Sequence, residues 1–370
     1  MPISINAAVL REKRASPVIE NLFLDDPMED EILVRIVGVG VCHTDMVMRD
    51  ALLPVPLPVV LGHEGAGVVE AVGHGVGDLA VGDHVVLSFS SCGSCKACAQ
   101  HQPAYCATWA PLNFSGSRAD GGTALTDSTG MPVHSHIFGQ SSFASHVVVS
   151  RRNAVKVDTD LPLELLGPLG CGIQTGAGAV LNACRVRQGS SVAVIGAGAV
   201  GLSAVMAARL AGAAIVVAVD LIEQRVAFSH EVGATHGFVA TSGSMLDHAV
   251  AAGCPTGFDY IIDTTGNTSV CNAAIAALTN CGELALVGAY APGTDFQVDA
   301  AFLMSGGRVV RGVVEGSADP ATFIPQLITH YRAGRFPFDR LVRYFDFADI
   351  ATAIAAGETG QVIKPVLRFP

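Results

Sequence analysis

Basic residues are scarce in this sequence, with 22 Lys and Arg against 33 Asp and Glu and a formal net charge of -11. A surface of that sign repels phosphate backbones and anionic lipid, which excludes nucleic acid and membranes as partners. We also expect no secretory leader, because Glu12, Lys13 and Arg14 precede any apolar run of sufficient length. We therefore expect a cytoplasmic protein.

Charged residues of both signs make up only 15% of the chain and aromatic residues 6%, whereas half of the residues are apolar. The uncharged stretch 189–208 resembles a membrane span, but its clustered glycines and the following Arg209 favour a buried strand and helix. This composition, with 41 glycines, is typical of tightly packed α/β proteins. A chain of 370 residues is expected to form two domains.

The apolar periodicity changes along the chain. Residues 3–149 consist of short β-branched runs broken by Gly, Pro and Asp, which predicts a mainly β, barrel-like domain. After Gly172, short apolar strands alternate with Ala-rich helical segments, which predicts a parallel sheet with crossover helices. The predicted domains are 1–172, 173–314 and 315–370, the last returning to the first domain, and the catalytic cleft is expected between the domains. The clearest predicted elements are strands at 32–37, 67–72, 84–87, 191–195, 215–219, 260–263, 283–287, 309–313 and 361–369 and helices at 199–210, 223–231 and 323–333.

Four of the ten cysteines, Cys92, Cys95, Cys98 and Cys106, form the pattern C-x2-C-x2-C-x7-C. In a cytoplasmic protein, such spacing indicates metal binding rather than disulfides. Four thiolates can surround one zinc ion, and the loop 88–108 has few core residues, so the metal would contribute to its folding. An iron–sulfur cluster is the alternative, but in ferredoxins the fourth cysteine follows at x3 and precedes a proline, whereas Ala107 stands here. We predict a structural zinc site, which by itself implies no activity.

Three further residues have settings that suit a second metal ion. Cys42 begins the run Cys-His-Thr-Asp, His63 lies in Gly-His-Glu-Gly-Ala-Gly, and Cys171 stands between two glycines. Two thiolates and one imidazole form the three-ligand shell of a catalytic zinc with an open fourth position. Asp45 is a candidate partner for the free ring nitrogen of His63, and Glu64 is a candidate alternate ligand. Taken singly, the three ligands also fit buried thiols and a core histidine.

A glycine-rich turn, with Gly196, Gly198 and Gly201 in the pattern G-x-G-x-x-G, joins a predicted strand to an Ala-rich helix. In this context the glycines permit a tight turn and close approach of a pyrophosphate, and the helix N-terminus supplies N–H groups. Asp220 follows 19 positions later, where a carboxylate binds the adenosine 2′-hydroxyl and repels a 2′-phosphate. NAD is therefore expected rather than NADP, although Arg225 could partly accommodate the phosphate. The alternative is a turn whose glycines serve packing alone.

Together these motifs resemble the zinc-containing medium-chain dehydrogenase/reductase family, over essentially the whole chain. The segments SGSR at 115–118, FGQSSF at 138–143 and GPLGCGIQTG at 167–176 look like its benzyl-alcohol or aryl-alcohol dehydrogenase branch. The resemblance implies a GroES-like catalytic domain, built from both ends of the chain, with an inserted Rossmann doubly wound parallel sheet. It also implies homodimers or homotetramers, often joined through the central sheets.

The resemblance also assigns roles to single residues. Thr44 matches the hydroxyl residue that bonds the alcohol oxygen and begins the exit of its proton. The histidine that ends this relay in liver-type alcohol dehydrogenases is Val47 here, so His43 is a candidate to take over the proton or to contact the cofactor's pyrophosphate. The other matches, for which surface or core roles are the alternatives, are cofactor contacts at Thr175, Val200, Val287 and Lys364 and apolar walls of the alcohol pocket at Leu53 and Phe143.

The expected activity is oxidation of a primary aromatic or allylic alcohol to its aldehyde, with hydride transfer to NAD and two zinc ions per chain. Related substrates are alternatives: a terpenoid alcohol such as geraniol, a formaldehyde adduct or a polyol. From another class of protein, a zinc-stabilised binding protein without catalysis is the alternative. It predicts one zinc ion per chain and no response to NADH.

Overall fold

The computed structural model describes residues 2–370 and forms two compact units. The first unit comprises Met1–Cys171, Asp319–Gln326 and Asp339–Pro370, and the second comprises Gly172–Ala318 and Leu327–Phe338. Both ends of the chain thus belong to the same unit.

The strands are β1 Ile3–Leu10, β2 Val18–Leu24, β3 Glu31–Gly40, β4 Val59–Val60, β5 Gly65–Val72, β6 His84–Leu87, β7 Leu125–Thr126, β8 Pro132–Val133, β9 His146–Ser150, β10 Ala154–Val157, β11 Ser191–Ile195, β12 Ile215–Asp220, β13 His236–Val239, β14 Phe258–Asp263, β15 Leu278–Leu286, β16 Val309–Gly312, β17 Val342–Asp346 and β18 Lys364–Arg368. The α-helices are α1 His43–Arg49, α2 Lys96–Ala99, α3 Trp109–Phe114, α4 Leu163–Leu166, α5 Gly172–Gly178, α6 Ala199–Leu210, α7 Glu223–Glu231, α8 Met245–Ala251, α9 Thr268–Ala276, α10 Ala300–Gly306, α11 Pro320–Arg332 and α12 Ile350–Glu358.

The first unit is mainly β and contains two sheets. One has the strand order β4-β1-β2-β7-β8, and the other has the order β10-β6-β5-β3-β18-β17 with β9 also paired to β3. Its long strand β3 is buried at most positions and half-buried at Glu31, Arg35 and Val37. The last strand, β18, pairs antiparallel with the end of β3, where Val366 lies opposite Gly40. The chain end is therefore part of the sheet from which α1 departs.

The second unit is built on a six-stranded sheet of order β13-β12-β11-β14-β15-β16, in which every neighbouring pair is parallel. The strand order reverses between β11 and β14, and parallel sheets bind ligands outside the carboxyl ends of the strands at such a point. The central strand β11 is buried throughout, as its continuous apolar run predicts. The mainly β first unit and the parallel sheet of the second confirm the predicted fold class.

Predicted and observed elements agree best where the apolar pattern is regular. β11, α6 and α7 have the predicted bounds, and the uncharged stretch 189–208 is divided between β11, the glycine turn and α6. β15 begins five residues before the predicted start, because its first part, with exposed Asn280 and Cys281, pairs with β14 across a register shift. Within residues 2–370, no helix is both long and apolar enough to cross a membrane.

A buried histidine in the first unit is held in its neutral form. His136 has a left-handed backbone, with φ of 64°, and its Nδ1 lies 2.7 Å from Ser135 Oγ. Burial lowers the pKa of His136 to about 4, against the smaller opposing effect of Glu31, while Arg118 adds to the lowering. The unfolded chain therefore binds a proton between pH 6.5 and 4 that the folded chain excludes. This group's contribution to stability falls as the pH drops through that window.

We expect the free energy of unfolding to fall by about 2 kcal/mol between pH 7 and pH 5 because of His136 alone. In the variant His136→Asn this component should vanish, since asparagine does not titrate and tolerates a left-handed backbone. Urea unfolding of both proteins at the two pH values measures the effect. The comparison uses each protein's change with pH, so a constant packing loss in the variant cancels. Equal pH dependence in the two proteins would show that His136 is not the source.

Candidate active site

Three separate parts of the first unit bring one sulfur or nitrogen ligand each to a common point. Cys42 stands at the N-cap of α1, His63 lies in the loop before β5, and Cys171 follows a short 3-10 turn. Their ligand atoms all lie within 4.8 Å of one another. His63 is completely buried, and within the described residues its Nε2 has no hydrogen-bond partner. A buried unpaired nitrogen costs about 1–3 kcal/mol, so its place beside two sulfur atoms fits a bound metal ion.

Asp45 fixes the orientation of this imidazole. Its fully buried carboxylate lies with Oδ1 2.9 Å from His63 Nδ1, so Nε2 is left to face the two cysteines. The same carboxylate accepts hydrogen bonds from the backbone N–H groups of Gly62 at 3.0 Å and Cys42 at 3.1 Å. The arrangement is that of a metal-binding histidine whose second nitrogen is held by a carboxylate, which fixes its tautomer.

A second buried carboxylate, Glu64, lies beside the same cluster and forms an ion pair. Lys364 Nζ lies 2.9 Å from each oxygen of Glu64 and donates to the carbonyl of Val41 at 3.2 Å. Burial alone would lower the pKa of Lys364. The charges of Glu64 and Cys42 outweigh this effect and raise the pKa above its usual value, so the ammonium stays charged. A Cβ atom at Gly40 would collide with Glu64 Oε2, so glycine is required there.

The surroundings favour the thiolate form of Cys42. The hydrogen bond from Cys171 holds the pKa of Cys42 well below its usual range, against the effect of burial, and the charges of Lys364 and His63 add to the lowering. Thiolate is the form that binds metal ions. Cys42 therefore favours the ionisation state that a zinc ligand requires.

The four cysteines of the loop 88–108 form the second cluster of metal-ligating side chains, with all ligand atoms within 4.8 Å of one another. The Sγ atoms of Cys92 and Cys98 are 4.0 Å apart, as are those of Cys95 and Cys106. Four sulfur atoms around one zinc ion lie about 3.8 Å apart, given the zinc–sulfur bond length, whereas disulfide bonds need about 2.0 Å. This spacing fits the predicted zinc site.

Backbone N–H groups stabilise negative charge on these sulfur atoms. Cys95 N donates to Cys92 Sγ at 3.3 Å, and Ala107 N donates to Cys95 Sγ at 3.4 Å. Hydrogen bonds from Ser94 and Cys95 lower the pKa of Cys92 to about 5, whereas burial raises that of Cys98 to about 11. The loop thus presents partly ionised thiols before any metal binds, and a metal ion would complete their deprotonation.

In the second unit, the glycine turn joins β11 to α6 at the point where the strand order reverses. Gly196 has a positive φ of 95°, and a Cβ atom at Gly201 would collide with the carbonyl of Gly196. Gly198 differs, because its φ is -79° and an added Cβ would meet no atom of residues 2–370 within 4 Å. The space at Gly198 lies at the N-terminus of α6, which has no side-chain cap. These features fit a bound pyrophosphate.

Asp220 ends β12 next to this turn. Its Oδ2 accepts from Ala197 N at 2.6 Å and its Oδ1 from Ile222 N at 2.8 Å, so the half-buried carboxylate is fixed in place. Arg225 is half-buried on α7, and its Nε has no hydrogen-bond partner in the described part of the chain. The structure therefore places both the carboxylate and the cation of the predicted ribose site in one unit with the glycine turn.

The remaining predicted residues differ in exposure. His43 is exposed, while Thr44, Leu53, Val200 and Val287 are half-buried. Phe143 and Lys364 are buried, Phe143 beneath Gly62 and Lys364 against Glu64, and their predicted contacts with alcohol and cofactor remain predictions.

Some contacts of these residues have no local sequence signal. Gln140 accepts from Gly65 N at 3.1 Å and donates to the carbonyl of His63 at 3.0 Å, which ties the metal-binding loop to a segment 77 residues later. Buried Thr175 lies beside Gln174, which donates to Glu315 Oε2 at 3.1 Å. The resemblance of the segment FGQSSF to a family branch is the one sequence indication of Gln140.

Comparison with known proteins identifies the family of this chain. Residues 28–159 match the model for the alcohol dehydrogenase GroES-like domain, and residues 199–329 match that for the zinc-binding dehydrogenase family. A geraniol dehydrogenase of Castellaniella defragrans is 48% identical over 99% of this chain and 98% of its own. The class-3 alcohol dehydrogenase of Caenorhabditis elegans is 35% identical over 99% of this chain and 97% of its own.

Among solved structures, benzyl alcohol dehydrogenase from Acinetobacter calcoaceticus superposes with a TM-score of 0.96 at 43% identity, over the full length of both chains. An alcohol dehydrogenase zinc-binding domain protein from Burkholderia ambifaria superposes with a TM-score of 0.97 at 50% identity, also over both full chains. The chain belongs to the zinc-containing alcohol dehydrogenases of the medium-chain dehydrogenase/reductase family, as its sequence motifs predicted.

The contrast between Gly198 and Gly201 allows a test of the dinucleotide site. Replacing Gly198 by Ala should leave the thermal unfolding midpoint unchanged or slightly raised, because the methyl group meets no protein atom. The methyl group would occupy the approach of the pyrophosphate, so we expect the dissociation constant for NADH to rise about tenfold or more. Fluorescence titration with NADH and thermal unfolding measure the two effects.

The matched control is Gly201→Ala, where the added methyl group collides with the Gly196 carbonyl and should lower the unfolding midpoint. If the Gly198→Ala variant binds NADH as tightly as the unchanged protein, the glycines of the turn serve packing alone.

Proposed function

We propose that the chain oxidises a primary alcohol whose carbinol carbon adjoins an aromatic ring or a carbon–carbon double bond, giving the aldehyde and transferring the hydride to NAD. The proposal rests above all on the cluster of Cys42, His63 and Cys171, which supplies three ligands and leaves a fourth position for an alcohol oxygen. Zinc bound there supplies Lewis acidity, which lowers the pKa of an alcohol hydroxyl towards neutrality.

The chain's own residues then have to orient the site and remove a proton. Asp45 holds His63 in the tautomer whose Nε2 is the ligand, because its carboxylate accepts the hydrogen bond from Nδ1–H. Thr44 accepts the proton of the substrate hydroxyl at Oγ1 and passes it on. Exposed His43 releases that proton to water, because Val47 has no titratable group at the position of the usual relay histidine.

The proposed preference for NAD follows from charge at the ribose site. The carboxylate of Asp220, fixed by two backbone N–H groups, can accept a hydrogen bond from a 2′-hydroxyl but repels a 2′-phosphate. Arg225 lies on the adjacent helix and borders the adenosine ribose. Thr175, Val200 and Val287 contact the nicotinamide end of the cofactor, and a hydride can then pass directly between bound alcohol and ring.

Two relatives support the substrate class from different sides. One is named a geraniol dehydrogenase and the other a benzyl alcohol dehydrogenase. Both of these alcohols carry a primary hydroxyl on a carbon next to a planar unsaturated carbon, so the product aldehyde is conjugated in either case. We assign Leu53 to an apolar wall of the pocket and Phe143 to the support of Gly62, beside the metal ligand His63.

An exposed sheet edge supports the proposed homo-oligomer. β16 is the last strand of the parallel sheet, and its residues Val309 and Arg311 are exposed. Exposed edge strands pair readily with another chain. We expect light scattering of the purified protein to give the mass of a homodimer or homotetramer, and a charged residue introduced at the exposed position as Val309→Lys should lower that mass. A monomer in the unchanged protein would contradict the assignment.

The substrate proposal predicts a defined order of reactivity. The purified, zinc-loaded protein should contain two zinc ions per chain and reduce NAD with benzyl, cinnamyl and geranyl alcohols. We expect their kcat/KM values to exceed that for ethanol by about tenfold or more, because each added apolar group contacts the pocket in the transition state. NADP should be used less well than NAD. Absorbance of NADH over this panel, extended to secondary alcohols, polyols and a formaldehyde adduct, measures the order.

Two variants separate catalysis from folding. Cys42→Ser should lose alcohol-dependent NADH formation and one zinc ion, whereas Cys281→Ser, at an exposed position away from both clusters, should keep both. Undiminished activity of Cys42→Ser would end the mechanism. A single zinc ion and no fluorescence change with NADH would indicate the non-catalytic binding protein. A preference for polyols or formaldehyde adducts would overturn the substrate class and leave the chemistry intact.

A further inference from the structure

Three aromatic side chains form a cluster on the face of the ligand histidine. The ring of Phe138 is stacked on the imidazole of His63, with a centroid distance of 4.4 Å and an interplanar angle of 21°. Phe114 and Trp109 pack edge-on against the same phenyl ring, at 5.3 Å and 5.9 Å. Trp109 and Phe114 also contact each other edge-to-face at 5.2 Å. Phe138 is the shared member and the one that touches the metal-binding residue.

The backbone presents Phe138 to His63 in a conformation that packing must maintain. Phe138 has φ of 51° and ψ of 31°, the left-handed region, which costs energy for a residue with a side chain. Asn153 Nδ2 donates to the carbonyl of Phe138 at 3.2 Å, and Gln140, two residues on, bonds the backbone of His63 and Gly65. The segment is therefore held by hydrogen bonds at Phe138 itself and two residues after it.

The other two rings are anchored to the four-cysteine loop. α3, which carries Trp109 and Phe114, begins three residues after Cys106, and Trp109 N donates to the carbonyl of Cys106 at 2.9 Å. Buried Asn113 on the same helix accepts from Ser90 N at 2.8 Å and donates to the carbonyl of Ser90 at 3.0 Å. The aromatic cluster thus spans the distance between the two metal-ligating clusters.

We propose that Phe138 is a positioning residue that fixes the ring plane of His63 and thereby places Nε2 for the metal ion. The proposal rests on the assignment of Cys42, His63 and Cys171 as a metal site. The hydrogen bond from Nδ1 to Asp45 restrains one atom of the imidazole but leaves the ring free to swing about that contact. The nearly parallel ring of Phe138, in contact with one face of the imidazole, prevents this rotation. Trp109 and Phe114 pack against the phenyl ring and keep it in place.

The test replaces the flat ring and compares the release of the two metal ions. Zinc-loaded holoenzyme is mixed with a chromogenic zinc chelator, and the phase lost in Cys42→Ser is assigned to the site of His63. In Phe138→Leu we expect that phase to be about tenfold faster or more, since groups that support a ligand typically change metal affinity by 10–100-fold. The phase of the four cysteines should be unchanged.

Phe347→Leu is the matched control. Phe347 is also buried in the first unit and stacked on another ring, that of Phe369, at 4.3 Å and 28°, but it contacts neither ligand cluster among the described residues. Both release phases should keep their rates in this variant. Phe138→Met, which keeps most of the volume without a planar face, should behave like Phe138→Leu and serves if that variant is unstable. Cobalt-substituted protein provides a second readout, because a displaced imidazole shifts its visible absorption bands.

A wild-type release rate in both Phe138 variants would overturn the proposal, and so would equal acceleration of both phases, which indicates general loosening. Metal release needs no turnover. If the alcohols fail to react while the His63 phase still responds to Phe138, the proposed function fails and the positioning role stands. If the alcohols react and the phase does not respond, the positioning role alone is refuted.

Discussion

The carboxylate of Asp45 is the contact on which the metal site depends. It is fully buried and accepts hydrogen bonds from His63 Nδ1 and from the backbone N–H groups of Gly62 and Cys42. One side chain thereby joins the start of α1 to the loop before β5, and each of these carries a metal ligand. Without this acceptor, three buried donors would lose their partner, at about 1–3 kcal/mol each. The geometry of two of the three ligands is therefore set by the protein before a metal ion binds.

The ion pair of Glu64 and Lys364 makes the same site depend on the end of the chain. A buried carboxylate beside two cysteine sulfurs is unfavourable unless a cation lies near, and Lys364 comes from a position 300 residues later. It reaches the site because β18 pairs with the end of β3, close to Gly40. A buried pair contributes little net stability, but loss of one partner costs about 3–5 kcal/mol. The last strand thus supplies the cation for a site whose metal ligands all come from earlier parts of the chain.

The sequence predicts those parts of the site whose physical cause is local. The turn after β11 and the four-cysteine loop each follow from spacing within some twenty residues. The fold class also follows, because a run that is apolar throughout, such as β11, predicts a strand buried on both faces. The predicted start of β15 is five residues too late, because the added residues join the strand through the pairing of Leu278 with Phe258, which lies before a register shift relative to β14.

Contacts between segments that are far apart in the sequence cannot be predicted from residue spacing. Nothing in the residues around Phe138 indicates that its ring will lie on His63, because that contact joins residues 75 positions apart and depends on how the chain between them packs. The hydrogen bond from Gln174 to Glu315 is equally hard to predict, because donor and acceptor are 141 positions apart. A family resemblance marks such segments as similar to known ones without saying why, and the structure supplies the reason.

The glycines of the two sites show how a single residue type can have different physical origins. At Gly40 a side chain would collide with Glu64, and at Gly62 the backbone has φ of 90° with Phe143 against it. Both positions are explained by the protein itself. Gly198 has an ordinary φ and space around it, so neither packing nor backbone conformation requires glycine there. The uncapped N-terminus of α6 lies at that position and suits the anionic pyrophosphate of the proposed cofactor.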